Sequence, residues 1–112
     1  MTAASTKKAT AAKYMMDWVQ KVERVGNLNM PLQSRRANGS LVMVVGLNNH
    51  GNITDIAIKQ SSGKKLLDDA AVNIVKMAAP YDPMSAALAK ETDIIYITRT
   101  WQFNGKDPLT SH

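Results

Sequence analysis

Few side chains in this sequence can do chemistry. His50 and His112 are its only histidines. The first lies in the turn-forming run Asn48-Asn49-His50-Gly51-Asn52 and the second is the last residue. Neither has another ligand at metal-binding spacing. The absence of cysteine removes disulfides, zinc–thiolate sites and thiol catalysis together. Asp68 and Asp69 are adjacent carboxylates in a helical stretch, where successive residues point about 100° apart. Acids in early helical turns are explained by the helix dipole. Ser61-Ser62-Gly63-Lys64-Lys65 lies between a strand pattern and a helix pattern. A phosphate-binding loop would need a glycine five residues before Gly63, and Ile58 stands there. A hydroxyl in this run is instead expected to cap the next helix. Neither a nucleophile elbow nor a Gly-rich dinucleotide fingerprint is present. These residues point away from an enzyme and imply no cofactor and no metal.

What is left is main-chain chemistry at the edge of a sheet, so the elements that build such an edge matter most. Residues 1–10 are small and polar and are expected to be a disordered lead. From Ala11, the residues Ala11, Tyr14, Met15, Trp18, Val22 and Val25 fall on one helical arc, with Lys13, Asp17, Gln20 and Arg24 opposite. Gly26-Asn27 is expected to end this helix. Asn29-Met30-Pro31 is an extended turn, because Pro31 keeps Met30 out of the helical region. Asn38-Gly39 is a second turn signal.

Ser40 to Leu47 alternates as a strand, and Asn48–Asn52 should close a hairpin to a second strand over Ile53–Gln60. Lys65 to Ala78 is the next helix, with Leu66, Leu67, Ala70, Ala71, Ile74, Met77 and Ala78 in its apolar arc. The connection from Ala79 to Thr92 holds two prolines and room for one short turn near Ser85–Lys90. Asp93 to Phe103 is the longest strand pattern. Ile95, Ile97, Trp101 and Phe103 share one face; Tyr96, Thr98, Thr100 and Gln102 share the other.

The order helix, strand, strand, helix, strand defines an α+β fold. A right-handed crossover places the third strand beside the first, giving a three-stranded antiparallel-type sheet of order 2-1-3 with both helices on one face. The folded domain is expected over residues 11–104, followed by a disordered tail over 105–112. A chain of 112 residues suits one such domain. The last strand keeps one edge unpaired, free for self-association or for an extended peptide.

The net charge of +5 is uneven. Residues 1–60 hold eight basic and three acidic side chains, whereas residues 61–112 hold six of each. The basic residues, Arg35 and Arg36 among them, are scattered, and no aromatic lies between Trp18 and Tyr81. A nucleic-acid footprint needs a basic stripe with interleaved aromatics, so a small basic nucleic-acid module is the weaker alternative. The longest apolar run, Leu41-Val42-Met43-Val44-Val45, is far short of the ~20 residues of a membrane span. Met1 to Lys13 holds no apolar stretch of the kind a signal peptide carries.

Four segments carry a likeness. Lys21-Val22-Glu23-Arg24-Val25-Gly26-Asn27-Leu28-Asn29, Gly39-Ser40-Leu41-Val42, Ser61-Ser62-Gly63 and Thr98-Arg99-Thr100-Trp101-Gln102-Phe103 resemble, in collinear order, the TonB C-terminal domain. The likeness runs from about Tyr14 to Phe103. It departs at Met30-Pro31, where that family usually has Tyr-Pro.

The resemblance implies the periplasmic part of an energy transducer anchored in the inner membrane by a single N-terminal span. ExbB and ExbD would power that transducer with the proton gradient. It further implies binding to the Ton box of outer-membrane receptors that take up siderophores, haem or cobalamin. The Ton box would add as a strand beside Ile94, Ile95, Tyr96, Ile97, Thr98, Arg99, Thr100, Trp101, Gln102 and Phe103. Side chains such as Tyr96, Thr98 and Arg99 would tune the register. A TolA-like envelope peptide-binding domain has the same build and is the alternative, and a homodimer through the last strand is compatible with both.

Overall fold

A computed structural model describes residues 9–29, 37–104 and 110–111. In chain order its elements are α1 (Ala9–Asn29), β1 (Asn38–Asn48), β2 (Ile53–Gln60), α2 (Lys65–Ala78), α3 (Ala86–Glu91), β3 (Ile94–Asn104) and β4 (Thr110–Ser111). The sheet order is β2-β1-β3-β4, with every neighbouring pair antiparallel. The expected 2-1-3 arrangement is therefore present. A fourth strand of two residues is added on the outer side of β3, within the stretch assigned above to a tail.

Alternation along the strands decides which face is covered. Leu41, Met43, Val45 and Leu47 of β1 are buried, as are Ile95, Ile97, Trp101 and Phe103 of β3. Both sets pack with Trp18 and Val22 of α1 and with Leu67, Ile74 and Val75 of α2. The two long helices also touch each other. Both therefore lie on one side of the sheet, as alternating apolar residues on a half-covered sheet require.

Three local expectations are corrected. Helix α1 passes through Gly26-Asn27 to Asn29. Gly26 is buried, and the Asn29 side-chain amide donates to the Val25 carbonyl at 2.8 Å. Packing and a local cap outweigh the weak helix propensity of those residues. Asn38-Gly39 opens β1 instead of a turn, paired with Asn104 and Phe103. A Cβ on Gly39 would stand 2.9 Å from Leu67 Cδ1, so this glycine lets α2 press onto the strand. In α2, Val75 is wholly buried, whereas Leu66 and Met77 are about half exposed. The buried stripe is centred on Leu67, Ala71, Ile74 and Ala78, and those two residues flank it.

The cap expected before α2 is also different. Lys64 at the N-cap makes no side-chain capping bond. The Ser61 and Ser62 hydroxyls donate to the Asp68 carboxylate, the second at 2.7 Å, and the Ser62 N–H adds a bond of 3.0 Å. Burial works against the Asp68 charge, but these three donors outweigh it and hold the carboxyl below its ordinary value. Lys64 Nζ donates to the Asn38 carbonyl at 2.7 Å, tying this loop to the start of β1. Ser85 does cap α3, accepting from the Leu88 N–H at 3.2 Å.

The α2–α3 connection straps the hairpin tip. Tyr81 N–H donates to the Gly51 carbonyl at 3.1 Å, and Met84 N–H donates to the Asn49 carbonyl at 3.0 Å. Gly51 has φ of 86°, and a Cβ there would lie 2.1 Å from the Tyr81 carbonyl oxygen. Positive φ and close approach together call for glycine. The Ala79–Pro80 peptide bond is cis.

Candidate docking edge

None of the side chains weighed above for catalysis or metal binding converges on a site. His50 is exposed at the hairpin tip. Asp69 pairs with Lys65 at 2.7 Å on an exposed helix face, while Asp68 is bound by the serines. Among the described residues no group of three His, Cys, Asp or Glu side chains could hold a metal ion.

A cleft of about 530 Å3 lies between α1 and the α2–α3 connection. Two of the three cations that line it, Lys13, Lys21 and Arg24, are already engaged: Lys13 pairs with Asp17 at 3.0 Å. Lys21 donates to the Pro80 carbonyl at 2.9 Å and stands 5.3 Å from the Tyr81 ring centre. The tyrosines at this seam are committed as well. Tyr14 donates to the Asp82 carbonyl at 2.9 Å and Tyr81 to the Val75 carbonyl at 2.6 Å. Burial, with Asp82 nearby, pushes Tyr14 up to about 12, and burial raises Tyr81 also. These contacts hold α1 to the rest of the domain and single out no ligand.

The sheet edge is different. β3 pairs with β1 through eleven consecutive residues with no register shift, from Ile94 opposite Asn48 to Asn104 opposite Asn38. On its other side, among the described residues, it pairs through Trp101 and Gln102, with Ser111 and Thr110 of β4. Among the described residues no strand lies beside Ile94–Thr100 on that side. Ile95, Ile97, Trp101 and Phe103 are buried beneath the helices and fix the strand in place. Tyr96 and Thr98 are exposed on the open face of the sheet, with Thr100 and Gln102 partly buried there. Arg99 lies opposite Met43 and so points to the helix-covered face, where it is partly buried.

All ten residues expected at the partner-binding strand thus lie in one element. Thr110 and Ser111 were missed. A two-residue strand has no periodicity, and nothing in a short polar tail marks it. Met30, Arg35 and Arg36, singled out in the sequence, lie outside the described residues.

Among the described residues no helix is long and apolar enough to cross a membrane. The family model described as Gram-negative bacterial TonB protein C-terminal matches residues 31–104. A search of the curated proteins and a search of the solved structures each found no match.

Proposed function

The chain belongs to the TonB C-terminal family, and from that premise we propose that it captures the Ton box of outer-membrane receptors by strand addition at β3. Membership makes it a periplasmic-type domain of energy-transducing transport, a family without enzymatic chemistry. The observation that carries the finer reading is the outer edge of Ile94–Thr100. It is a straight run of main-chain donors and acceptors, held firmly from beneath and with no strand beside it among the described residues. Such an edge is a template for an extended peptide.

The mechanism follows from the ladder. Main-chain pairing accepts many sequences, so one transducer can serve several receptors. The parent protein would carry the membrane anchor and the contacts to ExbB and ExbD, and the cargo would be siderophores, haem or cobalamin. Tension applied along the strand loads several ladder bonds together, so the link transmits force before it parts. Single-molecule pulling should then show a rupture force well above that of one hydrogen-bonded turn; an equal force rejects the mechanical reading.

The direct test is a titration of the 15N-labelled domain with a synthetic Ton-box peptide. Shifts and new amide protection centred on Ile94–Phe103 are expected. Shifts spread over Lys13 and Arg24 and erased by moderate salt would mean generic charge attraction. No response at millimolar peptide would reject the receptor-coupling reading.

A further inference from the structure

We propose that Arg99 is a specificity-determining residue, selecting an added strand that carries an acidic side chain at the position directly opposite it. This deepens the strand-addition reading above and rests on it. Arg99 is the one charged residue of β3. It sits on the helix-covered face, opposite Met43 and between Ile97 and Trp101, all three of which are buried. Its Nε is buried without a hydrogen-bond partner. A guanidinium donor withdrawn from water with no acceptor is unfavourable. Trp101 Nε1 is also unpartnered, but that residue is wholly enclosed and no ligand reaches it. Arg99 is only partly buried and remains approachable.

Geometry specifies what can satisfy it. A strand added beside β3 places the residue opposite Arg99 on the same face, with Cβ atoms about 5 Å apart. A Glu or Asp there accepts two parallel bonds from the guanidinium fork, the strongest geometry available to this pair. β4 reaches only as far as Ser111, opposite Trp101, so it leaves the position beside Arg99 vacant among the described residues. Main-chain pairing cannot distinguish peptides, whereas this contact can, and it also sets the register.

The test is a glutamate walk. Neutral eight-residue peptides of one non-repeating sequence have their register on β3 first fixed by amide–amide contacts in NMR. They carry one Glu moved through each position and are titrated against the domain and against Arg99→Gln and Arg99→Lys. We expect one position to bind about five-fold more tightly than the Glu-free parent. Its immediate neighbours, which face the open side, should stay at the parent's level. The gain should vanish in Arg99→Gln and shrink in Arg99→Lys, which keeps the charge but loses the fork. An equal gain at every position, or a peak that persists in Arg99→Gln, overturns the proposal. Should Arg99→Gln not fold, the positional profile in the unaltered chain and its change in Arg99→Lys decide the matter. If the Glu-free parent does not bind at all, the strand-addition reading itself falls, a result distinct from binding without acidic preference.

Discussion

Strand β2 forms one outer edge of the sheet and β3 most of the other, and they differ in register, charge and anchoring. The β1–β2 pairing shifts register twice, between Val42 and Met43 and between Gly46 and Leu47, leaving Lys59 and Thr54 as extra residues. These irregularities bend an edge and break its hydrogen-bonding pattern. β2 also exposes Asp55 and Lys59, and its inward residues Ile53, Ile56 and Ile58 are only partly buried. β3 is unbroken over eleven residues, has a single charged side chain turned toward the core face, and is anchored by four buried residues. The β2 edge carries register breaks and exposed charges, which guard against pairing. β3 has neither, its guards being the inward-turned Arg99 and the two-residue cover at Trp101 and Gln102. The difference teaches that a candidate docking edge shows itself first by an unbroken register and firm anchoring, before any one side chain is weighed.

Anchoring is where the contrast should be largest. Ile97→Ala is expected to cost about 4 kcal/mol and Ile56→Ala about 1–2 kcal/mol, because only the first opens a sealed cavity. Denaturant unfolding measures both, and equal losses would break the comparison.

The end of β2 is instead held by the serine–Asp68 cluster. Asp68→Asn should cost about 1–2 kcal/mol at neutral pH. The folded-state pKa of Asp68 lies below its unfolded value, so its contribution is present above about pH 4 and is lost as pH falls through the lowered pKa. The gap between the two proteins should close on acidification in the same unfolding experiment. A constant gap at every pH would show that this carboxylate does not tie down β2.

A smaller effect is expected at β3, where β4 occupies the edge beside Trp101 and Gln102. Removing residues 108–112 should tighten Ton-box peptide binding about three-fold, since two residues of pairing no longer compete. Unchanged affinity in calorimetry would confine the docking strand to Ile94–Thr100. The smallest expected effect is none. Replacing both Asp55 and Lys59 with Thr should leave peptide-induced shifts on β3, because the register breaks still guard β2. New protection of β2 amides would show that charge alone had closed that edge.

Much of this fold was legible in the residues. The alternation of Ile53–Gln60 and the helical arc of Lys65–Ala78 have the same ends in the structure as in the sequence, since both are bounded by turn formers or proline. The alternation within Ile94–Phe103 already assigned its buried and open faces. Arg99, named in the sequence only beside Tyr96 and Thr98 as a side chain that would tune register, lies instead on the face of Ile97 and Trp101, with its Nε buried and unpartnered. The departures lie where contacts distant in sequence overruled local preference. Gly39 became strand because Leu67 lies against it, and Gly26 stayed helical because it is buried.

The sequence by itself determined the element types, the hairpin, the strand order and the covered face, because each follows from period, turn chemistry or handedness within a short stretch of chain. Only the tertiary structure decided how each edge is guarded. Register breaks arise between paired strands, burial arises from helices packing across the sheet, and β4 arises from a tail that meets β3. Each depends on partners brought together by folding, so no local pattern encodes it.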